Sequence, residues 1–182
     1  MINRQRAARL EPTQAIGGIM NILALCTGNS ARSILGEAIF NQLGAGRVKA
    51  YSAGSRPKGV PHPGALRLLG RRGIDTNSFR SKSWHEFTGP DAPPIDIAIT
   101  VCGNAAGEAC PVFPGTPIRA HWGLPDPADA EGSEAEVDAA FEATWLALTA
   151  RVAAFLALPF EKLDPRELAD HLAEFGRMEG AA

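Results

Sequence analysis

The chain has 182 residues, 45% of which are hydrophobic, and a formal net charge of -2 at pH 7. This length is sufficient for one domain with a hydrophobic core and short for two. Positive and negative residues are nearly balanced, and the sequence has no long run of lysine and arginine. Both features argue against a nucleic-acid partner. No apolar stretch approaches the roughly 18 residues of a membrane span, so we expect no membrane association and a cytoplasmic location.

The three cysteines of the sequence indicate redox or nucleophilic chemistry. Cys26, Cys102 and Cys110 are too few and too unevenly spaced for a disulfide scaffold. Four tetrahedral zinc ligands are hard to assemble from them and from the dispersed histidines. We therefore predict neither a metal site nor a cofactor.

Apolar runs and helical spacing predict alternating strands and helices. Residues 1–19 are polar and are predicted to form a flexible N-terminal extension, the domain itself covers residues 20–158, and residues 159–182 form a C-terminal helical extension. The predicted strands are 21–26, 48–54, 95–102 and 116–122, and the predicted helices are 32–43, 63–73, 133–158 and 164–177. This alternation predicts one α/β domain with a parallel sheet covered by helices on both faces.

The segment CTGNSARS, residues 26–33, lies between the first predicted strand and the first predicted helix. Ligands of parallel sheets bind beyond the carboxyl ends of the strands, and a helix N-terminus there favours an anion. Small and turn-forming residues allow backbone N–H groups to surround a tetrahedral oxyanion, and asparagine tolerates a left-handed backbone. The predicted oxyanion-binding residues are Thr27, Gly28, Asn29, Ser30, Ala31, Arg32 and Ser33. Arg32 can add a bidentate contact, and this positive environment favours a Cys26 thiolate.

The spacing Cys-x5-Arg-Ser, with an Asp-Pro pair much later, resembles the signature of the low-molecular-weight protein tyrosine phosphatase superfamily, in its arsenate reductase branch. The resemblance covers roughly residues 21–155, including AYSAG, VCGNAAGEACPVFPG and HWGLPDPA. It implies a four-stranded parallel sheet flanked by helices, with Cys26 as nucleophile and Arg32 as oxyanion ligand. It also implies arsenate as substrate, with phosphate or sulfate as mimics. Ala31 departs from many relatives, which carry a cysteine there.

Asp126 is the candidate general acid, because it lies in a loop after the fourth predicted strand and the family's Asp-Pro pair falls on it. A carboxylic acid near the thiolate can protonate a departing oxygen. An aspartate before proline is more commonly a turn residue, and the upstream loop is what favours the catalytic interpretation. Asp129 is the weaker candidate.

Cys102 and Cys110 distinguish a thiol-coupled reductase from a phosphatase, which needs one cysteine. Cys102 ends the third predicted strand, and Cys110 follows across a segment rich in glycine and alanine. Thioredoxin-coupled relatives have this pair, often at slightly shorter spacing, and the resemblance implies a relay from Cys26 to Cys102 to Cys110. The resulting disulfide would be reduced by thioredoxin or a similar thiol donor, such as a glutaredoxin or mycothiol system.

Two other functions remain open at this level. A phosphatase would need only Cys26, Arg32 and Asp126, although Ala128 stands where phosphatase relatives usually carry an aromatic residue. A non-enzymatic oxyanion-binding or redox-sensing protein would retain the loop without turnover. Some thioredoxin-coupled relatives also bind potassium, through residues that match Asn29, Glu37 and Ser52. Here Lys82 falls near the remaining acidic position, so we predict no potassium requirement.

Overall fold

The computed structural model describes residues 18–102 and 117–178. Its four strands are β1 Met20–Cys26, β2 Val48–Gly54, β3 Ile97–Cys102 and β4 Ile118–Leu124. Its four α-helices are α1 Arg32–Leu43, α2 Pro63–Arg71, α3 Glu134–Leu156 and α4 Pro165–Gly176. The strands form a parallel sheet in the order β2-β1-β3-β4. The predicted fold class, a single-domain four-stranded parallel sheet flanked by helices, is confirmed.

Strand β1 lies at the centre of the sheet because its side chains are apolar on both faces. Ile22, Leu23 and Leu25 are fully buried, as expected for a parallel strand with neighbours on both sides. The register places Cys26 beside Gly54 of β2 and Leu25 beside Thr100 of β3. The loops that follow the strands therefore meet at one edge of the sheet, directly beyond Cys26.

The two faces of the sheet are covered differently. Ile22 and Cys26 face the larger hydrophobic cluster, to which all four α-helices contribute buried residues. Leu23 and Leu25 face a smaller cluster, which in the described ranges is covered by a 3-10 turn at Trp84–Phe87 with Phe87 buried. Within residues 18–102 and 117–178, this face therefore carries a short 3-10 turn in place of the expected α-helix.

Helix α3 corrects the expectation that no stretch reaches the length of a membrane span. By length and composition alone, its 23 residues are sufficient to cross a membrane. A row of its side chains at helical spacing is nevertheless buried in the larger cluster, and this row is Phe141, Trp145, Leu148, Val152 and Phe155. In this structure α3 is the central helix of the domain.

Helix α4 packs against the edge strand β4. It begins with the predicted Asp164 cap and Pro165 at its first position. Leu168 and Leu172 are buried in the larger cluster, and the indole N–H of Trp122 donates to the Leu172 carbonyl at 2.9 Å. This helix therefore packs on the surface of its own domain.

Candidate active site

The loop between β1 and α1 is held from outside by its carbonyl groups. Each of three hydrogen bonds has an N–H donor after β2 and an acceptor in the loop, and the pairs are Arg56 with Thr27 (2.9 Å), Lys58 with Gly28 (2.9 Å) and His62 with Ser30 (2.8 Å). The C=O and N–H of a trans peptide point in opposite directions. The N–H groups that follow these carbonyls consequently turn toward the inside of the loop, as an oxyanion cradle requires.

The Cys26 sulfur makes two hydrogen bonds inside this loop. The Asn29 N–H donates to Sγ at 3.1 Å, and the Ser33 hydroxyl lies 2.9 Å from it. The Asn29 amide also donates to Ser33 Oγ at 2.9 Å. Because that oxygen is already an acceptor, its single proton is free to point at the sulfur. The sulfur is therefore oriented by contacts to one backbone N–H and one hydroxyl.

Asn29 organises the loop from beneath. It is fully buried and has a positive φ of 41°, the left-handed conformation that asparagine tolerates better than most residues. Its Oδ1 accepts a hydrogen bond from the Lys82 N–H at 2.7 Å. Asn29 and Ser33 thus stand behind the loop and do not line its cavity.

Gly54 is a site residue that the sequence analysis did not single out. A Cβ atom at this position would lie 2.5 Å from the Thr27 carbonyl oxygen and 2.9 Å from the Asn29 nitrogen. Only glycine allows β2 to end so close to the loop. The available signal was the glycine that closes AYSAG, at the carboxyl edge of the sheet.

Arg32 and Asp126 are brought together although they lie 94 residues apart. Arg32 Nη2 lies 2.6 Å from Asp126 Oδ2, and Nη1 donates to the Leu124 carbonyl at 2.7 Å. The second carboxylate oxygen accepts the Ala128 N–H at 3.1 Å. Arg32 Nε is buried without a hydrogen-bond partner in the described ranges. The arginine thus retains a free donor beside the loop, and both carboxyl oxygens of Asp126 have a hydrogen-bond donor within reach.

These groups open into a cavity of about 810 Å³. Its floor is the loop with Cys26 and Arg32, and one wall carries Asp126 and Asp129. The rim also includes Arg56 and Lys58, which the sequence analysis did not single out. The carboxyl edge of the sheet therefore presents a thiol, a guanidinium and a carboxylate in one pocket, an arrangement suited to attack on a tetrahedral oxyanion.

Among the potassium ligands suggested by resemblance, Glu37 has an ammonium group beside it instead. Ser52 Oγ donates to the Glu37 carboxylate, and Lys82 Nζ lies 3.6 Å from that same carboxylate. Burial raises the pKa of Glu37, which the Lys82 charge partly offsets, and burial lowers the pKa of Lys82. A potassium ion here would meet the buried ammonium of Lys82, so these residues do not fit that ion.

The other two predicted cysteines are placed only in part. Strand β3 ends at Cys102, whose backbone pairs with Leu124 after a register irregularity. This position is at the same sheet edge as Cys26. Cys110 lies outside the described residues.

Comparison with known proteins agrees with this geometry. Residues 21–166 match the family described as low molecular weight phosphotyrosine protein phosphatase. The arsenate reductase of Halalkalibacterium halodurans is 38% identical over 120 residues, 66% of this chain and 83% of that protein. The arsenate reductase of Bacillus subtilis is 38% identical over 121 residues, 66% of this chain and 84% of that protein. A crystal structure of arsenate reductase from Archaeoglobus fulgidus matches with a TM-score of 0.60 at 26% identity, covering 75% of this chain and 99% of that one.

Proposed function

Because the chain belongs to the low molecular weight phosphotyrosine protein phosphatase family, in its arsenate reductase branch, we propose that it reduces arsenate to arsenite with Cys26 as nucleophile. The observation that carries this proposal is the Cys26 sulfur, which accepts hydrogen bonds at the base of a loop that also holds Arg32. A thiolate in this position can attack the central atom of a bound oxyanion. Arsenate and phosphate share this tetrahedral shape, so the loop alone suits both.

In the first step, the Arg32 guanidinium and the inward N–H groups bind arsenate, and Cys26 Sγ forms a bond to arsenic. One arsenate oxygen departs as water, which requires a proton. Asp126 is the proposed donor, because it lies within 2.6 Å of Arg32 at the rim of the loop. A bound oxyanion competes with Asp126 for the Arg32 guanidinium, which leaves a carboxyl oxygen available to pass a proton to the departing oxygen.

The second step transfers two electrons to arsenic. The Cys102 thiolate attacks Cys26 Sγ, the sulfur–arsenic bond breaks, and its electron pair leaves with arsenite. Cys110 then attacks Cys102, which releases the Cys26 thiolate and forms a Cys102–Cys110 disulfide. An external dithiol of the thioredoxin type reduces this disulfide. The support for this relay is the end of β3, which places Cys102 at the sheet edge of Cys26.

The test is arsenite release from arsenate with thioredoxin, thioredoxin reductase and NADPH. We expect turnover by the parent protein and none by Cys26→Ser. Cys102→Ser is expected to form the arsenic adduct but to stop before turnover. Equal turnover by Cys102→Ser and the parent would disprove the relay. Replacing thioredoxin by glutaredoxin with glutathione, or by a mycothiol system, identifies the electron donor.

Phosphatase activity is the second candidate function, and the size of the cavity favours it. A volume of about 810 Å³ exceeds what one tetrahedral oxyanion needs and falls in the range of organic ligand sites. Ala128, which lines this cavity, offers no ring for an aromatic substrate to stack on. Hydrolysis of an aryl phosphate that survives loss of both Cys102 and Cys110 would favour this function over reduction.

A further inference from the structure

The segment after β2 brings two cations to the rim of the Cys26 pocket. Arg56 and Lys58 both line the cavity, and their backbone N–H groups are bonded to the loop. The Gly59 N–H donates to Ser81 Oγ at 3.2 Å, and that hydroxyl donates to the Gly28 carbonyl at 3.1 Å. The backbone on both sides of Lys58 is therefore fixed relative to Cys26.

The side chain of Lys58 lies directly over Gly28. A Cβ atom at position 28 would meet three of the Lys58 side-chain carbons at 3.3–3.5 Å, so glycine leaves room for that chain. The positive charge of Lys58 also acts on His62. The pKa of His62 is lowered first by burial and then by the charges of Lys58 and Arg67. Lys58 thus lies along the loop and lines the pocket.

Charge is distributed unequally across the pocket. Strand β2 is adjacent to β1 on one side, and the loop after it supplies Arg56 and Lys58. Strand β4 lies two positions away on the other side, and the loop after it supplies Asp126 and Asp129. A ligand held by the Cys26 loop therefore has a cationic side toward the loop after β2.

We propose that Arg56 and Lys58 form a second anion subsite beside the Cys26 loop. The ligand class is a compound with an acidic group a short distance from its phosphate, phosphonate or arsenate group. Arsenate by itself does not reach this subsite, whereas the cavity has room for such a compound. The inference rests on the oxyanion role proposed above for the Cys26 loop, and it concerns what else that loop holds.

The experiment measures protection of Cys26 from alkylation by iodoacetamide in the reduced full-length protein, read by mass spectrometry of the Cys26 peptide. The probes are 3-phosphonopropionate and propylphosphonate, which have the same number of carbons and differ in the carboxylate. Inorganic phosphate is the reference ligand. A charge-assisted contact to the carboxylate is expected to make 3-phosphonopropionate protect about tenfold better than propylphosphonate.

The variant Arg56→Met with Lys58→Met is expected to reduce this preference to about twofold or less, because the carboxylate loses both partners. Lys49→Met is the matched control for each single substitution, because it also removes one positive charge, here from β2, where the ammonium lies 5.4 Å from the Tyr51 ring centroid. It should keep the preference. Each single substitution at the exposed positions 56 and 58 repeats the measurement if the double variant does not fold.

Three results would overturn the inference. Equal protection by the two phosphonates in the parent protein shows that no second subsite exists. A preference that falls equally in Lys49→Met shows an effect of net charge alone. Failure of inorganic phosphate and both phosphonates to protect Cys26 overturns the loop assignment as well, and this distinguishes failure of the proposed function from failure of the second subsite.

Discussion

At the scale of single residues, we expect the reactivity of the Cys26 sulfur to depend on the hydroxyl of Ser33. This hydroxyl accepts from the Asn29 amide, which leaves its own proton available to the sulfur at 2.9 Å. We expect Ser33→Ala to slow alkylation of Cys26 by iodoacetamide at pH 7 by about tenfold, the equivalent of one lost hydrogen bond to a charged group. The rate of modification of the Cys26 peptide measures this directly.

Ser55→Ala is the matched control for that experiment. The Ser55 hydroxyl is buried near the same loop and has no hydrogen-bond partner in the part of the chain that the structure describes. Its removal should leave the alkylation rate of Cys26 unchanged. Equal slowing by Ser55→Ala and Ser33→Ala would show that the loop responds to packing and not to the Ser33 proton.

Gly54 controls how closely β2 approaches the loop. We expect Gly54→Ala to push Thr27 and Asn29 outward, because backbone atoms at 2.5 and 2.9 Å cannot move as a flexible side chain would. Overpacking of this kind costs about 1–3 kcal/mol of stability, and arsenate turnover should fall by more than the unfolded fraction explains. Urea denaturation and the coupled assay on the same sample separate the two effects.

Gly70→Ala provides the comparison on a helix. A Cβ at Gly70 in α2 meets nothing within 4 Å, and alanine there should stabilise the protein by about 0.5–1 kcal/mol. Unchanged turnover in Gly54→Ala, with the loss of stability present, would mean that the loop tolerates the displacement.

The sequence predicts the chemistry of this site better than its supports. The Cys-x5-Arg spacing predicts Cys26 and Arg32, the family resemblance implies Asp126, and the structure brings all three into one pocket. The sequence does not predict the roles of Gly54 and Lys58. Both residues contact the Cys26 loop, and these contacts exist only once the sheet has brought the loops together.

At the scale of secondary structure, His62 links α2 to the active-site loop. Its ring Nδ1 accepts a hydrogen bond from the Gly64 N–H at 3.1 Å, and its ring stacks on Phe141. The backbone N–H of His62 donates to the Ser30 carbonyl. The pKa of His62 is lowered from its ordinary value of 6.5, mainly by burial. A protonated Nδ1 cannot accept the capping hydrogen bond.

The sign of the resulting pH dependence follows from this lowered pKa. The contribution of neutral His62 to stability is complete above pH 6.5 and is lost as the pH falls through the lower pKa of the folded protein. His62→Asn keeps a cap acceptor that does not titrate. Urea denaturation of both proteins at several values from pH 7.5 to 5 should show the parent losing stability relative to the variant. A difference that does not change with pH would contradict this role.

The boundaries of the elements follow local signals where such signals exist. Helix α1 spans the predicted residues 32–43, and α3 begins after the predicted Ser133 with its complete capping box. Helix α2 instead ends at Arg71, because the chain turns through Gly73 at a φ of 73°. Strands β3 and β4 each begin two residues later than predicted, since an apolar run does not show where pairing with a neighbouring strand starts.

At the scale of the whole molecule, helix α4 belongs to the same core as the active-site sheet. It lies almost entirely beyond the family match, which ends at residue 166. Buried Arg151 of α3 joins the two regions, because its guanidinium donates to the carbonyls of Trp122 at 2.9 Å and Met178 at 2.7 Å. Burial lowers the pKa of this arginine, so these carbonyl contacts compensate for the loss of water.

We therefore expect the domain to unfold as one cooperative unit that includes α4. Leu172→Ala removes a fully buried side chain from the core and should cost about 2–5 kcal/mol. Leu146→Ala on the solvent side of α3, where the side chain is 44% exposed, should change stability by no more than about 0.5 kcal/mol. Urea denaturation followed by circular dichroism and tryptophan fluorescence measures both.

A shortened protein that ends at residue 163 tests whether the rest of the domain depends on α4. Loss of α4 uncovers Trp122, which is fully buried beside Leu172, and removes the Met178 partner of Arg151. Because β4 leads directly into Asp126, the shortened protein should lose arsenate turnover together with stability. Retention of the parent's denaturation midpoint and turnover would show that the sheet and its active site fold without this helix.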